Sequence, residues 1–392
     1  MSLPALGDLS DLAGARVLAR LDLNVPVRDG EVLDDSRISA ALPSLLWLLE
    51  RVEVVAACSH LGKAKGEPDP AYSLEPVAKA LEHALDRKVR FVPDCLEPER
   101  AEAEPGELLL LENLRFHAGE KANDADFAQR LASPYSHYVN DAFGTAHRAH
   151  ASVVAAAALF DRGRKAAGFL MEAEVAALSR LVSEPEQPFV AVIGGAKVST
   201  KTAPLEAMVE RVHSLLIGGG MANTFFLAQG LEVGRSLVEE DMLDTARRVL
   251  EQARERGIAI ELPEDVVVAD SIDSPERIEV VPNDAIPAEL MVVDIGPRAR
   301  ARYRKALAGA RTAFWNGPMG VFEVEAFAAG TMAVAEALAG SPAFSVVGGG
   351  ESVMAVRRAG LADRIDHVST GGGASLEFIT GEELPALAAL KT

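Results

Sequence analysis

The chain has 392 residues, 49% of them hydrophobic and 25% charged, which excludes wholesale disorder and indicates two domains. Its formal net charge of −19 opposes non-specific nucleic-acid binding, so any phosphate ligand requires a local basic pocket. The most apolar run, Ser152–Phe160, is too short to span a membrane, and no basic leader begins the chain. We therefore expect a cytoplasmic protein without membrane or nucleic-acid partners.

Short apolar strands alternate with helical patterns in the first half of the chain. The strands are continuous runs rich in Val, Leu and Ala, which is typical of strands buried on both faces of a parallel sheet. Helical periodicity fills Ile38–Arg51 and Leu74–Leu85. The predicted strands are Arg16–Leu23, Val52–Cys58, Val89–Val92, Leu108–Leu111 and Tyr138–Val139.

The second half repeats this alternation, with helices such as Asp241–Arg256 and a short final helix at Leu384–Leu390. Alternating strands and helices predict an α/β fold with right-handed crossovers. The predicted strands are Phe189–Ile193, Ser214–Ile217, Ile258–Glu261, Met291–Asp294, Thr312–Trp315, Phe344–Val347 and His367–Ser369.

An amphipathic pattern over Met171–Val182, followed by a proline-containing loop, predicts a helical linker between two domains. We place the first domain at residues 1–170, the linker helix and loop at 171–187, and the second domain at 188–381. Residues 382–392 form a C-terminal tail.

Polar and basic side chains follow several first-half strands. Because ligands bind beyond the carboxyl ends of the strands in open α/β sheets, these residues are candidates for a binding site. Clustered basic groups suit a small phosphorylated or carboxylated anion, while a solvated charged surface is the alternative. The candidates are Asp22, Asn24, Arg37, His60, Lys63, Arg115 and Arg148.

In the second half of the chain, glycine turns follow several of the predicted strands. Glycine lets the backbone approach a ligand, and the amides at a following helix start favour phosphate. Lys197 and Lys201 would share one face if a helix begins there, and two unrelated surface lysines are the alternative. The turns are Gly194–Lys197, Gly218–Gly220, Gly348–Gly350 and Gly371–Gly373.

Several common signatures are missing from the sequence. There is no GxxxxGK[ST], GxGxxG, HExxH or GxSxG motif. The two cysteines, Cys58 and Cys95, lie in apolar surroundings and show no zinc-ligand spacing. We expect both to be buried thiols.

Longer segments resemble the motifs of the phosphoglycerate kinase family, in order and over essentially the whole chain. The resemblance implies two Rossmann-like domains with mostly parallel sheets, joined by a helix and hinge, with the tail packed on the first domain. It implies reversible Mg²⁺-dependent phosphoryl transfer in glycolysis between 1,3-bisphosphoglycerate with ADP and 3-phosphoglycerate with ATP, and a monomer. The segments are Arg20–Pro26, Ser59–Gly62, Leu111–Phe116, Val139–His150, Gly194–Lys197, Gly218–Met221, Trp315–Pro318, Gly320–Glu323 and Ser369–Glu377.

The resemblance also implies residue roles. The glycerate substrate would contact Asp22, Leu23, Asn24, Arg37, His60, Leu61, Gly62, Lys63, Arg115 and Arg148. The nucleotide would contact Gly195, Ala196, Lys197, Lys201, Gly219, Gly220, Asn316, Pro318, Glu323, Gly349, Gly350, Glu351 and Ser352. The phosphoryl group that is being transferred would contact Arg37, Lys197 and the amides near Gly350 and Gly372. Glu323 would accept ribose hydroxyls, and Glu351 would serve magnesium.

Three positions depart from the family pattern. Two other functions are alternatives to the activity that the resemblance implies. Lys63 stands where the family commonly has arginine, and Glu351-Ser352 stands where it has Asp-Thr. These departures motivate one alternative, a binding or regulatory protein without activity. The other alternative is a dinucleotide-dependent oxidoreductase, which the missing GxGxxG disfavours. A coupled assay for 3-phosphoglycerate-dependent ATP consumption and an NADH absorbance assay distinguish the three.

Overall fold

The computed structural model describes residues 3–96, 103–183 and 185–392. Contacts divide the chain into unit 1, Met1–Ala176 with Glu383–Thr392, and unit 2, Ala177–Glu382. The division falls inside one helix, Phe169–Val182, which begins slightly before the predicted start at Met171. The hinge stays a prediction. None of the described helices combines the length and the apolar character that a membrane span requires.

Unit 1 contains one six-stranded sheet in which every neighbouring pair of strands is parallel. The strands of unit 1 are β1 (Arg16–Leu21), β2 (Val27–Arg28), β3 (Glu31–Val32), β4 (Val54–Cys58), β5 (Val89–Val92), β6 (Leu108–Leu111), β7 (His137–Asp141) and β8 (Lys165–Ala167), of which β2 and β3 lie outside this sheet. The helices are α1 (Ser36–Leu49), α2 (Glu75–Leu85), α3 (Ala118–Lys121), α4 (Ala125–Ala132) and α5 (Phe169–Val182). The order across the sheet is β5-β6-β4-β1-β7-β8, so the central strands are buried along nearly their whole length.

The strands predicted in the first half are confirmed, but three short ones escaped the pattern. The β2–β3 hairpin has two residues per strand, too few for a periodic signal. Edge strand β8 begins with Lys165, whose buried ammonium donates to the carbonyl of Ala157 at 3.2 Å. A charge at its first position hides the strand from a hydrophobicity pattern.

Unit 2 holds a second six-stranded parallel sheet, in the order β11-β10-β9-β15-β16-β17. The strands are β9 (Phe189–Ile193), β10 (Ser214–Ile217), β11 (Ala259–Glu261), β12 (Asp265–Ala269), β13 (Ile278–Pro282), β14 (Met291–Ile295), β15 (Thr312–Asn316), β16 (Phe344–Gly348) and β17 (His367–Val368). The helices are α6 (Thr202–Val209), α7 (Met221–Ala228), α8 (Leu243–Glu255), α9 (Pro297–Ala308), α10 (Ala329–Ala339), α11 (Gly350–Arg358) and α12 (Gly373–Thr380).

The second half also contains a small antiparallel sheet, which the prediction of a uniform strand–helix alternation did not include. Strand β12 pairs antiparallel with both β13 and β14. The Met291 strand therefore belongs to this separate sheet. Strand β13 alternates exposed and half-buried residues, with Ile278 and Val280 exposed, so it lacks the continuous apolar run that marks the parallel strands.

The C-terminal tail forms helix α13 (Pro385–Lys391) within unit 1. The backbone N–H of Ala386 donates to the carbonyl of Ala146 at 3.1 Å. Leu384, Leu387 and Leu390 are buried. The last residues of the chain therefore complete the core of unit 1 beside the segment that leads to Arg148.

We predict that Leu387→Ala lowers the free energy of unfolding of unit 1 by about 2–4 kcal/mol, because it empties a packed position. A Trp315→Phe background leaves Trp47 as the single tryptophan, so its fluorescence follows unit 1 during denaturation. Leu33→Ala, at a side chain 62% exposed, is the matched control and should cost less than about 0.5 kcal/mol. Equal unfolding midpoints for the two variants would contradict the packing of α13.

Candidate active site

An ion pair lies at the carboxyl end of β1 in unit 1. A guanidinium nitrogen of Arg37, at the start of α1, contacts a carboxylate oxygen of Asp22. The Asp22 side chain is only 2% exposed, whereas that of Arg37 is 32% exposed. A Cβ at Gly144 would overlap the same carboxylate, so this position requires glycine. Asp22 thus fixes Arg37 from the buried side and leaves part of the guanidinium facing solvent.

His60 follows β4 and is surrounded by cations. Its Nδ1 lies 3.4 Å from a guanidinium nitrogen of Arg20, a fully buried arginine on β1. Burial, and after it the positive charges of Arg20 and Arg115, lowers the pKa of His60 well below 6.5. Arg148 and Arg37 act on this pKa in the same direction. His60 is therefore a neutral hydrogen-bonding group among arginines at neutral pH.

The peptide of Gly62 joins the loops after β1, β4 and β6. Its N–H donates to Asn24 Oδ1 at 2.8 Å, and its carbonyl accepts from Arg115 Nη1 at 2.7 Å. Asn113 Nδ2 donates to the adjacent carbonyl of Leu61 at 2.8 Å. Gly62 has a φ of +61°, a conformation that glycine adopts without strain. These bonds hold Arg115 against the sheet edge.

The structure brings the predicted residues of unit 1 to one edge, where Lys63 and Arg148 are exposed. Burial and then the positive charge of Arg148 lower the pKa of Arg115 to about 10. We name Asp22, Asn24, Arg37, His60, Arg115 and Arg148, together with the buried Arg20, the basic cluster.

Sequence reasoning missed the buried residues that support the basic cluster. Arg20 Nε donates to Ser152 Oγ at 2.9 Å, and this hydroxyl donates to Glu120 Oε1 at 2.7 Å. Glu120 is fully buried, and its Oε2 accepts the Ser152 N–H at 2.9 Å. Arg20 opens a motif segment inside a buried strand, and an arginine in such a run was the available signal.

Unit 2 contains a cavity of about 260 Å³ at the carboxyl ends of its strands. A Cβ at Gly219, where φ is +68°, would lie 2.7 Å from the Gly195 backbone, so glycine is required for these turns to pack. The predicted residues that line the cavity are Gly195, Ala196, Gly219, Gly220, Pro318, Glu323 and Glu351.

The condition under which Lys197 and Lys201 would share a helical face, a helix that begins there, is not met. Helix α6 begins at Thr202, so both lysines precede it, and Lys197 is exposed in the loop. Bends and turns occupy the segment before α6, where the N–H of Lys201 donates to the carbonyl of Val198 at 2.8 Å. Lys201 Nζ instead contacts Asn316 Oδ1, and burial lowers the pKa of Lys201 to about 8 although Glu351 opposes the shift.

Asn316, the last residue of β15, presents a buried donor. Its Nδ2 has no hydrogen-bond partner within the part of the chain that the structure describes. A buried amide without a partner is costly, which points to a ligand acceptor at this place. Gly349 lies beside this amide, and with φ at +87° it precedes α11.

Two helices begin at the carboxyl edge of the unit 2 sheet. Helix α11 starts at Gly350 after β16, and α12 starts at Gly373 after Gly372, whose φ is +52°. The first amides of an α-helix lack partners within it and favour anions. Ser352 is buried within α11, where its hydroxyl accepts the Gly317 N–H at 2.6 Å. Ser352 therefore secures the loop after β15.

Two carboxylates of the cavity lining have different roles. Asp294 is buried and accepts the N–H of Gly330 at 2.6 Å and that of Ile295 at 2.9 Å. Burial raises its pKa to about 7. Asp294 is thus committed to the backbone, whereas Glu351 is exposed in the first turn of α11. A carboxylate is the type of hard oxygen ligand that Mg²⁺ prefers.

Comparison with known proteins identifies the family. The family model described as "Phosphoglycerate kinase" matches residues 6–382. The chain belongs to the phosphoglycerate kinase family. It is 52% identical to the phosphoglycerate kinase of Thermomicrobium roseum over 379 residues, 96% of each chain. It is 53% identical to that of Rubrobacter xylanophilus over 384 residues, 97% of this chain and 96% of that protein.

A solved phosphoglycerate kinase structure, from Coxiella burnetii, matches with a TM-score of 0.89 at 42% identity, covering 100% of this chain and 99% of that one. The two-domain α/β fold with largely parallel sheets is thereby confirmed. The activity of the chain is that of a phosphoglycerate kinase, a glycolytic transferase that uses a phosphoglycerate and an adenine nucleotide.

We predict that nucleotide binding to this chain takes up a proton near pH 8.5. Lys201, with a pKa of about 8, is largely a neutral amine at pH 8.5, and an anionic phosphate favours its charged ammonium form. Calorimetry in buffers of different ionisation enthalpy measures the uptake, which should fade as the pH falls below 7. Lys201→Arg should abolish it, whereas the matched Lys197→Arg should preserve it. Uptake that persists in Lys201→Arg would refute this assignment.

Proposed function

We propose that the basic cluster of unit 1 binds 3-phosphoglycerate or 1,3-bisphosphoglycerate. The supporting observation is the concentration of arginines around neutral His60 at one sheet edge of an acidic protein. Guanidinium groups form paired, charge-assisted bonds with carboxylate and phosphate. The backbone groups of Leu23, Leu61 and Gly62 bond to neighbouring loop residues and so support the site, and Lys63 adds a cation at the exposed rim.

We assign adjacent parts of the substrate to different arginines. Arg37, oriented by Asp22, faces the carboxyl end at which transfer occurs. Arg115 and Arg148 grip the phosphate that does not react. The nucleophile in the direction of ATP consumption is already a carboxylate, so no base has to remove a proton. Neutral His60 accordingly orients the substrate through a hydrogen bond.

In unit 2 we assign ADP and ATP to the glycine-lined cavity. Gly195, Ala196, Gly219, Gly220 and Pro318 form its walls, and Glu323 accepts the ribose hydroxyls. Lys201 and the partnerless Nδ2 of Asn316 serve the phosphates. Lys197 and the backbone amides at Gly349, Gly350 and Gly372 neutralise charge on the transferring phosphoryl group.

Glu351 would hold Mg²⁺ or its water shell in this proposal. When bound, the ion neutralises phosphate charge during transfer. Glutamate has one methylene more than the aspartate common in the family, and the exposed position of Glu351 leaves room for a rotamer change. We also propose that the protein acts in the cytoplasm as a monomer.

We predict that Arg37→Ala lowers kcat by at least ~100-fold, because one positioned cation at the reacting end is lost. Arg115→Ala and Arg148→Ala should mainly raise KM for 3-phosphoglycerate, because they act on a non-reacting phosphate. Steady-state kinetics with a coupled ATP-consumption assay measure both effects. Arg28→Ala, an exposed arginine of the same unit, is the control and should behave as wild type. A kcat for Arg37→Ala within threefold of wild type would exclude the role.

We predict that Glu351→Gln raises the Mg²⁺ concentration for half-maximal activity by ~10–100-fold, as expected when a group that serves a metal is lost. Binding of metal-free ADP should change little, which separates a metal effect from damage to the cavity. Glu351→Asp should recover most of the activity, and Glu325→Gln, at an exposed position of unit 2, should have no effect. Superimposable magnesium titrations of Glu351→Gln and wild type would disprove the assignment.

A further inference from the structure

A second candidate metal site lies in unit 1. Asp94 and Cys95 follow β5, and His117 follows the 3₁₀ turn Leu114–Phe116 after β6. Because β5 and β6 are paired parallel strands, their carboxyl ends bring together residues 23 positions apart. One ligand atom from each side chain lies within 4.8 Å of the other two. We propose that Asp94, Cys95 and His117 form a binding site for Zn²⁺.

The geometry of these three residues suits a tetrahedral ion. Metal–ligand distances of about 2.0–2.3 Å place neighbouring ligands of tetrahedral zinc roughly 3.3–3.7 Å apart. His117 Nε2 and Asp94 Oδ1 are 2.8 Å apart, so only a small separation is needed to admit the ion between them. Asp94 Oδ1 also accepts the N–H of Leu96 at 2.8 Å, which fixes the carboxylate. The site needs side-chain adjustment and no rearrangement of the strands.

The chemistry of the three ligands selects the ion. Thiolate, imidazole and carboxylate are all zinc ligands, and a thiolate disfavours Mg²⁺ and Ca²⁺. Cys95 is 1% exposed, while Asp94 and His117 are half-buried, so the sulfur forms the inner side of the site. Zn²⁺ would bind the thiolate, and the thiol proton leaves to solvent. Three protein ligands leave a fourth position for water, as in open zinc sites.

A cavity of about 480 Å³ adjoins the site and favours a cation. Its lining includes all three proposed ligands. Three further carboxylates line it, those of Asp69, Glu75 and Glu112, and its described lining contains no lysine or arginine. Glu112 is buried and accepts from Ser73 Oγ and the Leu74 N–H, both at 2.7 Å. The negative potential concentrates cations, and the cavity gives the fourth position access to solvent.

Co²⁺ is the probe for this site, because a cobalt–thiolate bond gives a charge-transfer band in the near ultraviolet and a tetrahedral ion gives strong visible bands. The full-length protein, freed of metal and nucleotide, should show both with one equivalent of Co²⁺. One equivalent of Zn²⁺ should bleach them, whereas excess Mg²⁺ should not. Absence of the charge-transfer band at stoichiometric cobalt would overturn the proposal.

Variants assign the ligands. Cys95→Ser should remove the charge-transfer band, and His117→Gln and Asp94→Asn should weaken Zn²⁺ binding by at least ~100-fold. Cys58→Ala, at the other buried thiol, and His83→Gln, on α2 outside the cavity, are matched controls that should keep the spectrum. A band retained in Cys95→Ser, or lost in Cys58→Ala, contradicts the site.

Thermal unfolding provides a reading if Cys95→Ser fails to fold. Zn²⁺ should raise the Tm of wild type and of both controls, and a chelator should reverse the rise. The half-exposed His117→Gln, which leaves the buried thiol in place, should lose this rise. An equal rise in Tm for His117→Gln and wild type would refute the proposal. Glu351→Gln should respond as wild type, which separates this outcome from that of the proposed magnesium site.

Discussion

Like charges gathered at the carboxyl edge of the unit 1 sheet repel one another, and the surrounding residues offset that repulsion. Asp22 binds Arg37 from the buried side. Behind them, the fully buried Glu120 reaches Arg20 through Ser152. Burial, and after it the repulsion that remains, keeps His60 neutral and lowers the pKa of Arg115 to about 10. An anionic ligand at this edge would relieve the repulsion, so the electrostatic energy stored there would become binding energy.

The parallel sheets could be predicted because their strands are buried on both faces and read as continuous apolar runs. Strands β5, β6, β9 and β10 have the predicted bounds. Strand β13 could not be found, because its exposed positions alternate with half-buried ones. The spacing of Lys197 and Lys201 suits a helix, but bends and turns precede α6, which begins at Thr202. The hydrophobicity pattern of a sequence identifies buried segments, and it gives a weak signal where a segment is half-exposed.

The residues of the candidate site that could be predicted are those that lie in motifs directly after a strand. Asp22, His60 and Arg115 lie where the parallel topology requires. Asp294 and Glu120 were missed because each acts from a buried position through backbone or hydroxyl contacts. Cys95 and His117 show no zinc-ligand spacing in the sequence. Only the pairing of β5 with β6 brings them together, and one sequence does not reveal strand order across a sheet.

The position of α13 has a consequence for the order in which the chain folds during synthesis. Unit 1 is assembled from two stretches that are separated by the whole of unit 2. A ribosome that has released the first 176 residues has therefore made every strand of the first sheet but not the helix that covers Ala146 and the neighbouring apolar surface. That surface stays open to water, or to a chaperone, until residues 383–392 emerge. Unit 1 thus reaches its final packing only after unit 2 has been synthesised.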